Sequence, residues 1–180
     1  MKRNVLGVMT AILAITASAP AAQAQNPVSF GIAAGASIPM GDLGDGVKTG
    51  FHGMATLGFT PAMLPFGMRI DGMYNQLSLK DEQGDGNFRI LGANVNAILS
   101  IPSTLTSPYL IGGVGMYNSK VSSDDIDLET DGETDFGINV GIGIKFNLSG
   151  FGTFGEIRYH NIFTEGDSRQ FLPITFGIMF

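Results

Sequence analysis

Three stretches of the chain carry residue types whose spacing could do chemistry. Near the C-terminal end Glu156, Arg158 and His160 alternate with other residues, and Glu165 and Ser168 follow closely. A nucleophilic hydroxyl needs a base in reach and an acid to orient that base, so His160, Ser168 and Glu165 are the set to weigh for hydrolysis. In the acidic run, Asp127, Glu129, Asp131 and Gly132 echo the opening of a calcium-binding loop, with carboxylates at alternate places and a glycine at the sixth. The twelfth place, where a bidentate glutamate supplies much of the affinity, is Ile138. A solvated acidic loop is therefore the expected reading. Gly44 to Gly50 holds the pair Lys48-Thr49 but lacks a glycine before the lysine, so it reads as a glycine-rich turn and not a phosphate cradle. No catalytic residue, cofactor or metal ligand is assigned, and no enzyme is expected.

A fourth constellation is structural. Arg69 and Asp71 stand two apart, as do Glu156 and Arg158. Residues two apart on a strand share a face. Opposite charges turned into a narrow interior can satisfy each other and tie strands together. These four are expected to form a polar cluster inside a barrel, with Asn94, Asn96, Lys145 and His160 on the same side. His52 should face inward too, with no evident partner.

The elements that must position these residues are strands. Beyond residue 27 apolar residues recur with period two, most clearly at Phe136, Ile138, Val140, Ile142, Ile144 and Phe146. Eight such segments are expected, at 28–38, 51–60, 66–77, 88–99, 109–118, 136–146, 151–162 and 171–180. Lengths near ten residues suit tilted strands crossing a bilayer. The facing of the fifth segment is open, because glycines occupy both of its alternate sets. Connections around 39–50, 78–87, 119–135 and 163–170 are polar and mostly long, whereas those around 61–65, 100–108 and 147–150 carry no charge.

Of the 16 acidic residues, all but Asp71 and Glu156 fall in the four polar connections. An even number of strands puts both termini and every short turn on one side and the acidic loops on the other. The first residues read as a cleaved leader. Met1 to Asn4 is basic, Val5 to Ile15 is apolar, and Ala22-Gln23-Ala24 predicts cleavage after Ala24. The apolar run is too short for a spanning helix and stops at Pro20. The domains are thus 1–24, a signal peptide, and 25–180, the barrel. With 10 basic residues in all, losing Lys2 and Arg3 leaves 8 against 16 acidic, a formal charge of −8 that disfavours nucleic acid as a partner.

A soluble up-and-down barrel would also alternate, so the direction of the faces decides the class. The non-apolar set is mainly Gly, Ala, Ser, Thr and Asn, poor material for a solvated exterior. Phe51, Phe59, Phe66, Tyr109, Tyr117, Phe146, Phe151 and Tyr159 sit near strand ends, as aromatic girdles do. The apolar set is therefore expected to face lipid. The fold class is all-β: an eight-stranded antiparallel up-and-down transmembrane barrel.

The stretches SFGIAAGASIPMGDLGDGVKTGF, PFGMRIDGMYN, SPYLIGGVGMYN, GTFGEIRYHNIF and LPITFGIMF carry a family resemblance. From about residue 28 to its end the chain resembles the OmpA/OmpX-like family of outer-membrane β-barrels. The resemblance implies bacterial outer-membrane localisation, a lipid and lipopolysaccharide environment, and insertion by the barrel-assembly machinery. Phe176, Ile178 and the terminal Phe180 look like the assembly signal read in this class. A monomer with an unidentified surface ligand is expected. Function follows only loosely, since members serve as adhesins, envelope stabilisers, small pores and enzymes. The lipid A deacylases of similar size carry H-x-S-N on a strand, where this chain reads Tyr159-His160-Asn161-Ile162. A non-enzymatic surface role in envelope integrity, adhesion or recognition is expected. A small pore is the alternative, ahead of a lipid-modifying enzyme.

Overall fold

The computed structural model describes residues 28–60, 66–80, 86–101, 105–123, 132–148 and 150–180. Eight strands follow in order: β1 Val28–Met40, β2 Gly50–Phe59, β3 Gly67–Ser78, β4 Gly86–Ser100, β5 Thr106–Ser123, β6 Glu133–Asn147, β7 Gly152–Thr164 and β8 Asp167–Met179. One short helix, α1 Gly41–Gly46, interrupts them between β1 and β2. Each strand pairs antiparallel with its sequence neighbour, and β8 returns to β1, closing the barrel. Closure leaves no unpaired edge, the condition for a sheet to lie in lipid.

The alternation seen in the sequence becomes two faces of opposite character. Ile32, Ile70, Leu91, Val140, Ile142 and Phe176 stand exposed on the outside. Arg69, Asp71, Asn94, Asn96, Glu156 and Arg158 are buried inside. A belt of large apolar side chains around the whole barrel far exceeds the patches that water-soluble proteins expose, and it needs hydrocarbon against it. The soluble-barrel reading, in which the apolar set would point inward, is thereby removed. Stacked pairs lie at both rims of the belt: Phe30 with Phe180 at the end carrying the termini, and Phe136 with Phe163 at the other, with ring centroids 5.4 Å and 6.3 Å apart.

The structure settles the fifth strand and corrects part of the girdle. Leu110, Val114 and Met116 of β5 face outward, while Tyr109, Ile111 and Tyr117 are buried inside. Tyr109 and Tyr117 are therefore interior residues, because glycines opposite them leave room for a ring there. Phe51, Phe59, Phe146 and Phe151 are exposed as a girdle requires.

The connections differ from expectation in two places. The polar stretch 39–50 contains α1, whose Leu43 packs on the core. The stretch 163–170 is not a long loop. Strands β7 and β8 run up to Thr164 and down from Asp167, joined by Glu165 and Gly166 alone. Gly166 has φ of 92°, a conformation that side chains disfavour, and the Thr164 hydroxyl donates to the Asp167 carbonyl at 2.9 Å. The leader, the calcium-loop-like run Asp127 to Asp131 and the acidic residues Asp81, Glu82 and Asp85 lie outside the described residues.

Candidate functional site

The interior is layered along the barrel axis. At mid-height four charges form a closed ring. Arg69 and Asp71 come from β3 and Glu156 and Arg158 from β7, strands on opposite sides of the barrel. The contacts alternate in sign: Arg69 Nε to Asp71 at 2.9 Å, Asp71 to Arg158 Nη1 at 2.8 Å, Arg158 Nη2 to Glu156 at 2.7 Å, and Glu156 to Arg69 Nη2 at 2.9 Å. No member is more than 3% exposed. Every charge thus has two partners of opposite sign, and the ring is neutral. That composition is what allows four charges to leave water, since each unpaired one would carry a large desolvation penalty. The sequence-derived cluster Arg69, Asp71, Glu156 and Arg158 is brought together completely.

Neutral groups complete the ring. Asn96 Nδ2 donates to Asp71 at 2.9 Å, and the Tyr109 hydroxyl donates to the second Glu156 oxygen at 2.8 Å. Tyr109 and Glu156 lie two strands apart and reach each other across Gly143, the register partner of both. A Cβ at Gly143 would clash with the phenol end of Tyr109, nearest its Cζ. The same device recurs at Gly35, the register partner of His52 and Thr175. His52 Nε2 meets the Thr175 hydroxyl at 3.0 Å across it. His52 is therefore partnered, contrary to expectation. Ser37 donates its single proton to Asn75 at 2.7 Å, so its 3.3 Å contact with His52 Nδ1 requires an Nδ1–H donor. In the neutral ring His52 Nε2 then accepts from the Thr175 hydroxyl. This polar path was missed because it runs through a glycine, which carries no chemical signal of its own.

Toward the loop end lies a layer of rings. The Tyr117 hydroxyl bonds Asn94 and contacts His160 Nδ1 at 2.8 Å, and His160 stacks on Phe171 with centroids 4.8 Å apart. His160 is thus an interior residue whose hydrogen-bond partner is a tyrosine. Ser168 and Glu165 sit beyond it in the β7–β8 hairpin, and no nucleophile–base contact joins them among the described residues. Above this layer Leu77, Phe88, Ile90, Ile162 and Phe171 pack together with Val47, the residue after α1. The mouth carries Arg169, which pairs with Glu133 at 3.1 Å and Asp135 at 3.3 Å and lies over the Phe88 ring.

At the opposite end the described residues leave a hollow. A vestibule of about 360 Å³, lined by Ser29, Thr60, Ser100, Lys145 and Phe154, reaches inward as far as Arg69 and Tyr109. Phe176, Ile178 and Phe180 are exposed on the lipid side of β8 and just past it. Phe180 is bound to β1 by two backbone hydrogen bonds with Phe30, at 2.8 Å and 3.1 Å.

An inside-out barrel with a neutralised polar interior and an apolar belt is the architecture of one protein class, and a family model agrees. It describes the outer membrane protein beta-barrel domain and matches residues 9–180. The chain belongs to that family. Its place is the bacterial outer membrane. No curated protein sequence is significantly similar to this barrel. Among solved structures, Neisserial surface protein A is similar over 86% of this chain and 96% of its own, with a TM-score of 0.69 and 14% identity. A major outer membrane protein from Thermus thermophilus is similar over 86% of this chain and 99% of its own, with a TM-score of 0.54 and 11% identity. Ail, the attachment invasion locus protein of Yersinia pestis, is similar over 85% and 96%, with a TM-score of 0.50 and 17% identity. At these identities the likeness is one of fold.

Proposed function

We propose that this outer-membrane barrel is a non-enzymatic surface protein that holds acidic loops outside the cell for adhesion, recognition or envelope integrity. The observation that carries the reading is the filled interior. The charge ring spans the bore from β3 to β7, and apolar residues close it beneath α1. An eight-stranded barrel has an interior about wide enough for its own side chains. What remains free to act is the rim. Two of the structural neighbours bear names that speak of the surface and of attachment, which supports the same reading.

In this reading residues 1–24 are removed on export, the mature chain inserts as a monomer, and the barrel-assembly machinery reads Phe176, Ile178 and Phe180. Single-channel recording of the refolded mature protein in a planar bilayer tests the proposal. A correctly folded, electrically silent barrel is the expected result. Reproducible discrete openings would overturn it and place the protein among small pores, with Arg69 and Arg158 as candidates for selectivity.

A further inference from the structure

The outer wall changes character one step beyond the loop-side girdle, on one side of the barrel. Going toward the loops, the outward positions pass from Tyr74 to Gln76 on β3, from Leu91 to Arg89 on β4, and from Met116 through Asn118 to Lys120 on β5. Their outward facing follows from the burial of Asn75, Phe88, Ile90, Tyr117 and Ser119 on the alternate positions. Arg89 is the register partner of Gln76 on one side and Lys120 on the other, so the three form one row across three strands.

Arg89 also differs from the other described arginines. Arg69, Arg158 and Arg169 all have carboxylate partners, whereas Arg89 has no ion pair or hydrogen bond among the described residues. Its Nε is shielded from solvent without an acceptor. Beside it the Gln76 amide is held in place, accepting from the Tyr74 hydroxyl at 3.0 Å and donating to Asn87 at 3.4 Å. A chain with only 10 basic residues has thus set two of them side by side, facing outward. Their level, just above Tyr74, Leu91 and Met116, is where the apolar belt gives way to the headgroup zone.

We propose that Arg89 and Lys120 form a binding site for the phosphate of an outer-leaflet lipid. The site deepens the surface-protein reading and rests on its outer-membrane location. A phosphate between the two side chains accepts charge-assisted hydrogen bonds from the guanidinium fork and the ammonium together. Gln76 and Asn118 supply neutral donors beside it. The ligand is a phosphorylated glycolipid held edge-on against the barrel wall, with its acyl chains along the belt below.

The test uses the folded mature protein in maltoside micelles, which contain no phosphate. Diphosphorylated lipid A is titrated against it, and the same lipid with both phosphates removed serves as the comparison. The wild type is expected to bind the phosphorylated lipid on the order of tenfold more tightly than the dephosphorylated one. The variant R89Q/K120Q should lose that preference, while R169Q, which alters a cation at the mouth, should keep it. Equal affinity of the wild type for the two lipids overturns the site, whether or not the double variant folds. So does a folded R89Q/K120Q barrel with undiminished preference, or an R169Q variant that loses it equally. Inorganic phosphate binding as tightly as the lipid would also overturn it, leaving a simple anion site. The heat-dependent gel shift of each sample reports folding independently. A wild type without that shift in membrane fractions would instead bring down the underlying reading.

Discussion

The guanidinium of Arg69 on β3 lies 2.9 Å from the carboxylate of Glu156 on β7, although 87 residues separate them in the chain. The pair crosses the bore of the barrel, and Arg158 and Asp71 complete the circuit. Strands that share no backbone ladder are thereby tied to each other through side chains alone. The ladder of β7 is itself interrupted beside this point, where Arg158 and Tyr159 face Pro173 and Leu172 of β8. Proline has no N–H to give, so the charge ring braces a seam that the backbone leaves weaker.

Replacing Arg158 by Ala should therefore destabilise the barrel by about 3–5 kcal/mol, because Asp71 and Glu156 each lose a partner in a site closed to water. The heat-dependent gel shift followed against temperature measures this directly. An unchanged transition would mean that the buried carboxylates find another partner, and the ring would not be the brace described. Replacing all four ring residues by apolar side chains of similar volume should cost much less than the single change.

Gly143 is predicted to be sensitive although it carries no side chain of its own. In Gly143→Ala the new methyl would occupy the space of the Tyr109 ring, which would have to leave Glu156. Overpacking of this kind costs about 1–3 kcal/mol. The informative comparison is the double variant G143A/Y109A. It should lose less than the sum of the two single changes, since both act on one contact. Strict additivity in denaturant unfolding would argue that the glycine serves something other than the tyrosine.

At the β7–β8 hairpin the strain is in the backbone. Gly166→Ala forces a side chain into φ of 92°, at an expected cost of about 1–2 kcal/mol, with no change in the buried interior. Hydrogen exchange should show the loss confined to the ends of β7 and β8. Uniform loss of protection around the barrel would indicate that this turn controls closure as a whole.

Phe180 is predicted to separate assembly from stability. Its ring stacks on Phe30 at a lipid-facing position, and its backbone continues the β1–β8 seam. Phe180→Ala keeps those backbone bonds and should unfold within about 1–1.5 kcal/mol of the wild type in detergent. The amount of heat-shiftable barrel recovered from outer membranes should fall far more than that difference explains. Equal recovery in cells would remove the assembly role from this residue.

The sequence by itself determined the architecture and the facing of most strands. Period-two alternation fixes which residues share a face, and the poverty of the non-apolar set at Gly35, Asn96 or Asn139 leaves only one face fit for lipid. The inward facing of Arg69, Asp71, Glu156 and Arg158 was legible for the same reason, since two-residue spacing survives any register. Only the tertiary structure decided what those residues touch. Contacts across the bore depend on the stagger with which strands close into a barrel, and no local pattern encodes it. That stagger puts Gly143 between Tyr109 and Glu156 and Gly35 between His52 and Thr175, so the path of each side chain is set by a neighbour's missing one. It also turned Tyr109 and Tyr117 inward, because an aromatic ring near a strand end follows the space left opposite it. The Arg89–Lys120 row has the same origin: 31 residues apart in number, the two cations meet only because β4 and β5 pair in that register.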